Sequence, residues 1–202
     1  MQCYEKDAGW ASCRPQCVPG PDPTDSNEVP WSCRPLGPRS PGQAWVPDAV
    51  EAKAAPWVAA RCPAKGANCT AARCCGGAGM QCYKKVDSWG LCRSTCTPGP
   101  DPTDENADPW TCERSGSRTP GTPQPAGRPP AAAAWVQARC SAEKENCKDT
   151  KCCKGEGMQC YAKDDYWGSC LTTCAPGVHA EDADGKPWSC TKLGGRTPKP
   201  WG

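Results

Sequence analysis

Cysteine and tryptophan are the residues through which this chain could do chemistry. It carries 20 cysteines and 10 tryptophans in 202 residues, and no phenylalanine. Sulfur at that density serves either cystine cross-links or metal thiolates. The adjacent pairs Cys74-Cys75 and Cys152-Cys153 lack the spaced C-x-x-C ligand pairs of zinc sites, and the even count suits full pairing. No metal or other cofactor is expected. Groups for catalysis are scarce. The one histidine, His179, has no partner at triad or metal-ligand spacing, and Gly-x-Ser-x-Gly, phosphate-loop and His-Glu-x-x-His motifs do not occur. The expectation is a protein that is not an enzyme. Acidic residues gather at Asp22, Asp25 and Glu28, and again at Asp101, Asp104, Glu105 and Asp108. Interspersed prolines exclude an EF-hand there, and solvated acidic turns are expected instead. Asn68-Cys69-Thr70 is a formal glycosylation sequon with a cysteine at its centre.

The tryptophans fall into series. Trp10, Trp89 and Trp167 each stand three residues before a cysteine. Trp31, Trp110 and Trp188 each follow proline and stand two before another. Trp57 and Trp135 lie five before a cysteine, and Trp45 and Trp201 stand apart. The Pro-Trp series reads as packing around a small cystine core. Trp57 and Trp135 could dock short helices. Trp10, Trp89 and Trp167, with Tyr166 beside the last, suit ligand contact as well as packing: flat rings on a rigid scaffold match the apolar faces of sugar rings.

These residues need elements to hold them, and the cysteine spacing gives the plan. Residues 62–114 carry Cys62, Cys69, Cys74, Cys75, Cys82, Cys92, Cys96 and Cys112. Residues 140–197 carry Cys140, Cys147, Cys152, Cys153, Cys160, Cys170, Cys174 and Cys190. The seven intervals are identical: 7, 5, 1, 7, 10, 4 and 16. Residues 1–36, with Cys3, Cys13, Cys17 and Cys33, repeat only the second half of the unit. Met1, Met80 and Met158 are each followed by Gln-Cys-Tyr, so Met1 occupies an internal repeat position. The expectation is four further cysteines, and a signal peptide, upstream; a chain begun at Met1 would leave Cys3 and Cys13 to pair with each other.

Short hairpins are predicted over Gln81–Lys84 with Trp89–Arg93, and over Gln159–Lys163 with Trp167–Leu171. Residues 37–61 and 115–139 read as Pro/Ala-rich linkers, and 198–202 as the start of another or a tail. In the first linker Asp48 and Glu51 form a capping-box pattern and Pro56 ends the helical run. In the second, Pro130 precedes a helical run at Ala131–Ala134. Such short helices need docking to persist.

The order of the first six cysteines resembles that of knottins. That resemblance implies inhibitor-cystine-knot pairing: Cys62–Cys75, Cys69–Cys82 and Cys74–Cys92, with Cys140–Cys153, Cys147–Cys160 and Cys152–Cys170. The remaining cysteines would close Cys17–Cys33, Cys96–Cys112 and Cys174–Cys190. Gly79 to Cys92 and Gly157 to Cys170 resemble the second half of fungal-type family 1 cellulose-binding modules. This implies that Trp89, Tyr166 and Trp167 form part of a flat sugar-binding face. The chain departs from those modules in having eight cysteines per unit, Gly9 and Ser88 where the second aromatic would stand, and Leu91 before the last cysteine. The complete eight-cysteine unit, with its Pro-Gly and Pro-Trp-x-Cys tail, is similar to cysteine-rich repeats of dinoflagellate predicted proteins.

The fold class expected is therefore small and disulfide-rich: tandem knottin-like modules with short β-hairpins, joined by Pro/Ala-rich linkers containing short helices. Isoleucine is absent and leucine occurs only at Leu36, Leu91, Leu171 and Leu193, so cross-links must stand in for an aliphatic core. By the chain-entropy account each contributes on the order of 3 kcal/mol. Lys and Arg number 24 against 22 Asp and Glu, which argues against nucleic acid and anionic membranes; no apolar run reaches the roughly 20 residues of a membrane span. The expected location is secreted, at the cell surface or in an oxidising organellar lumen. The expected partner is polysaccharide, bound by Trp10, Trp89, Tyr166 and Trp167; alternatively, the chain is a scaffold among protein subunits of a larger assembly.

Overall fold

Each Met-Gln-Cys-Tyr motif opens a β-strand, and the reason is visible in its glutamine. In the computed structural model, which describes residues 1–42, 52–124 and 130–199, strand β1 (Gln2–Asp7) turns back into β2 (Trp10–Arg14) and also pairs with β3 (Arg34–Leu36). The order is β2-β1-β3, all antiparallel. The Gln2 amide donates to the carbonyls of Leu36 (3.3 Å) and Gly37 (3.0 Å), clamping the third strand to the first. Gln81 and Gln159 make the same clamp, to Gly116 O at 2.8 Å and Gly194 O at 2.9 Å.

The described residues form two compact units: 1–95 with 112–125, and 96–111 with 126–202. The first adds helix α1 (Pro56–Arg61) and a second sheet of β4 (Gln81–Val86), β5 (Trp89–Arg93) and β6 (Arg114–Ser115), ordered β5-β4-β6. The second holds helix α2 (Trp135–Arg139), then β7 (Gln159–Ala162), β8 (Gly168–Leu171), a two-stranded ribbon of β9 (Gly177–Val178) and β10 (Pro187–Trp188), and β11 (Thr191–Leu193). Its main sheet is ordered β11-β7-β8. The chain is thus small, disulfide-rich and built on small antiparallel sheets.

No cysteine is free. Cystines of this number belong to an oxidising environment. Their pairing departs from the knottin pattern at the adjacent cysteines. Cys62 bonds Cys74 and Cys75 bonds Cys92; likewise Cys140 bonds Cys152 and Cys153 bonds Cys170. The expected Cys62–Cys75, Cys74–Cys92, Cys140–Cys153 and Cys152–Cys170 bridges are not made. The packing explains this. Cys74 joins Val58 of α1 and Cys62 in one buried cluster, whereas Cys75 joins Cys69, Met80, Cys82 and Cys92 in another under the sheet. Each adjacent cysteine serves a different cluster. Cys69–Cys82, Cys147–Cys160, Cys17–Cys33 and Cys174–Cys190 are present, and Cys96 and Cys112 are both disulfide-bonded. Cys3 bonds Cys13, its cross-strand partner.

The helices also differ from expectation. Asp48 and Glu51 lie outside the described residues. Pro56 begins α1 rather than ending a helix, in keeping with its tolerance in the first turn, where the missing N–H costs nothing. Residues 131–133 are not helical; α2 starts at Trp135. The Ala133 amide instead donates to Pro102 O (2.8 Å), as Ala55 donates to Pro23 O (2.8 Å). A run this short yields its propensity to a tertiary hydrogen bond.

These contacts belong to a joint that repeats. Within the first unit, the loop closed by Cys17–Cys33 receives α1 through the Trp57 indole N–H, which donates to Asp25 O (2.9 Å). Within the second, the 96–111 loop receives α2 through Trp135, which donates to Asp104 O (2.9 Å). The Gly116 amide meets Pro19 O (3.0 Å) and the Gly194 amide meets Pro98 O (2.7 Å). Both glycines have positive φ, and a Cβ on either would strike the carbonyl of Arg73 or Lys151; no other residue fits.

Candidate functional site

Three hairpin tips carry the aromatic residues singled out from sequence. Trp10 is 63 % exposed, Trp89 47 %, Trp167 43 % and Tyr166 86 %. These values separate the tip series from the rest, because Trp31, Trp110 and Trp188 are buried and Trp57 and Trp135 are half-buried with their N–H groups bonded. Each tip follows a tight turn. In the first, the Asp7 carboxylate accepts from the Gly9 amide (2.9 Å). In the third, Asp164 Oδ1 accepts from the amides of both Tyr166 and Trp167 (2.8 Å each), and these bonds hold its carboxyl below the ordinary carboxylate range.

An asparagine whose bracing role the sequence reading missed supports the tip of each complete module. Asn146 donates to Tyr166 O (3.0 Å) and accepts from the Gly168 amide (3.0 Å). Asn68 does the same with Ser88 O and Gly90 N (both 3.3 Å). The sequon asparagine is therefore committed to positioning Trp89. The available signal was positional: Asn68 and Asn146 each stand directly before the second cysteine of a module.

The acidic loops hold the indoles of the Pro-Trp series. The Trp31 and Trp110 indoles donate to Asp25 and Asp104 carboxylates (2.6 Å each), and Trp188 donates to Asp182. Lys6 adds bonds to Asp25 (2.9 Å) and Asn27 (3.1 Å); Lys163 adds bonds to Asp182 (2.9 Å) and Asp184 (2.6 Å). The acidic residues thus organise the loop. Asp22 is buried rather than solvated, paired with Arg14. Burial pushes the Asp25 carboxyl up, but hydrogen bonds from Lys6 and Trp31, and the charges of Lys6 and Arg14, outweigh it and hold it below its ordinary value. Hydrogen bonds from Lys163, then from Trp188, lower Asp182.

Two clefts open beside exposed tryptophans. One of about 350 Å³ is lined by Trp10, Lys6, Asp25 and Asn27. Another of about 500 Å³ is lined by Trp167, Leu171, His179 and Trp188. His179, which has no partner at triad or metal-ligand spacing in the sequence, is half-buried and stacks on Trp188 with ring centres 5.3 Å apart. Among the described residues, three groups hold ligand atoms close enough to share a metal: Cys69, Cys75 and Cys92; Cys147, Cys153 and Cys170; and Cys174, His179 and Cys190. Their sulfurs are all tied in disulfides, so none is a thiolate. No helix among the described residues is long and apolar enough to cross a membrane. No protein-family model, curated protein or solved structure matches this chain.

Proposed function

We propose that the chain is a non-catalytic binding array, secreted, at the cell surface or in an oxidising lumen, that holds polysaccharide through Trp10, Trp89, Trp167 and Tyr166. The observation carrying this reading is the selective exposure of the tip tryptophans at equivalent positions of successive repeats. Burying a large aromatic ring is favourable, and the other described tryptophans are buried or docked. A ring left on a braced tip is available to a sugar face, whose C–H groups pack on it while hydroxyls remain for neighbouring polar groups. Repetition along one chain adds avidity that a single shallow contact lacks.

The test is retention on insoluble polysaccharide. Replacing Trp10, Trp89 and Trp167 with Ala together is expected to abolish retention with the disulfide map unchanged, since the bridges hold the fold without these rings. Retention equal to the parent protein sinks the reading. A scaffold role in a larger assembly is the second reading, favoured by the docked Trp57 and Trp135: they make the expected linkers part of packed joints. In that case purification from the native source without reduction yields a large complex, and the triple variant leaves it intact.

A further inference from the structure

The third module departs from the first where its loop faces its sheet. In the first, Arg14 at the end of β2 places its guanidinium 3.7 Å from the Trp31 ring centre. It pairs with Asp22 and reaches Asp25 at 3.4 Å. That side chain fills the angle between strand and loop. At the matching positions the second module has Arg93 and Asp101, and the third has Leu171 and His179. Both members of the ion pair are replaced together. Leucine has no charged head to lay over the indole, and the imidazole takes that place, stacked within 8° of parallel on Trp188.

The result is the cleft of about 500 Å³. One wall is the outward face of the β8 hairpin arm, where Trp167, Ser169 and Leu171 alternate onto a single side. The opposite wall is the loop, with Glu181, Asp182 and the His179–Trp188 stack. Trp167 therefore belongs both to the tip and to the cleft. The lining is mixed, with aromatic and aliphatic faces beside about as much surface from hydroxyl, imidazole and charged groups, and the volume is in the size range of small-ligand sites. Lys144 and Glu181 put one charge of each sign on it, which favours neither an anionic nor a cationic ligand, and the Asp182 carboxylate is already engaged by Lys163.

We infer that the third module holds a short neutral oligosaccharide in this cleft, one ring face on Trp167 and Leu171, with hydroxyls reaching Ser169, Thr173 and Glu181. This rests on the polysaccharide reading of the tips and adds a distinct subsite: the first module closes the same position with Arg14. By size the cleft takes about one or two sugar rings.

The experiment exchanges the modules' own residues. The variant Leu171→Arg with His179→Asp rebuilds in the third module the pair that the first accommodates. Tetraoses of glucose, xylose, mannose and N-acetylglucosamine are titrated in solution, read by tryptophan fluorescence and calorimetry. The parent protein is expected to bind at least one, and the exchanged variant to bind it about tenfold more weakly or worse, while still being retained on insoluble polymer through Trp10 and Trp89. Ser169→Tyr, on the outward face, blocks the cleft without touching a cystine and gives the same loss should the exchange disturb the loop. Binding unchanged in both variants, or no tetraose bound by the parent protein, overturns the cleft. Failure of the tip reading is separate: it shows as insoluble-polymer retention that survives loss of Trp10, Trp89 and Trp167.

Discussion

The sheet at residues 2–36 and its counterpart at 81–115 are built from the same motif but braced differently. Both have a hairpin, a third strand and a glutamine clamp. In the complete module, Cys82 and Cys92 lie opposite each other on β4 and β5 yet bond away from the sheet, to Cys69 and Cys75, and all four are buried. In the first sheet the equivalent Cys3 and Cys13 bond each other, with Cys13 exposed. The complete module also has Asn68 under its tip, and Trp89 is 47 % exposed against 63 % for Trp10. The difference teaches what the first half of the repeat supplies in the complete module: a cystine core beneath the three-stranded sheet and a brace for the aromatic tip.

The largest expected effect breaks that comparison at its bridges. Replacing Cys75 and Cys92 with Ala removes a link across 17 residues inside the buried cluster, and the cost is expected at about 2–5 kcal/mol. Replacing Cys3 and Cys13 removes a link across 10 residues with Cys13 exposed, and the cost is expected at about 2–3 kcal/mol, because the shorter loop loses slightly less chain entropy and no fully buried cystine goes with it. Thermal unfolding of both variants measures the gap; equal losses would mean that the first sheet depends on its bridge as much as the second.

A smaller effect sharpens the comparison at the tips. Asn146→Ala leaves the Gly168 amide and the Tyr166 carbonyl without their side-chain partner, at about 1 kcal/mol. Amide exchange is expected to quicken at Gly168 and to stay unchanged around Trp10. Slow exchange at Gly168 in the variant would assign the brace to the cystines instead.

The smallest effect is in acid. Side-chain hydrogen bonds from Lys163 hold Asp182 and Asp184 below the usual carboxylate value of 3.8. A depressed carboxylate contributes in full above its unfolded pKa, and the contribution is lost as pH falls through the folded one. The 174–190 loop is therefore expected to be unchanged down to about pH 4 and to loosen below it, seen as altered Trp188 fluorescence. Asp25 is lowered too, but its loop also receives Ala55 and Trp57, so it should loosen less. Loosening that begins near neutral pH would assign the transition to another group.

Much of this molecule was legible in its residues. The identical cysteine intervals marked the repeat, the Met-Gln-Cys-Tyr and Trp-x-x-Cys segments marked the hairpins, and the low aliphatic content announced cystine in place of a core. The Pro-Trp series read as packing, and Trp31, Trp110 and Trp188 are buried. These are local properties, fixed by composition and short-range spacing. The choice between Cys74 and Cys75 was not local. The two are adjacent, and only the docked Val58 on one side and the sheet on the other distinguish them. The same holds for Ala131–Ala134, whose helical preference gave way to a hydrogen bond with Pro102, and for the acidic loops, whose carboxylates find buried indoles and lysines. The cleft of the third module depends on Leu171 and His179 meeting across eight residues of chain. Each of these outcomes rests on contacts between segments that the chain order does not place together, and a hydrogen bond or a buried surface gained there outweighs the few tenths of a kcal/mol per residue that local propensity supplies.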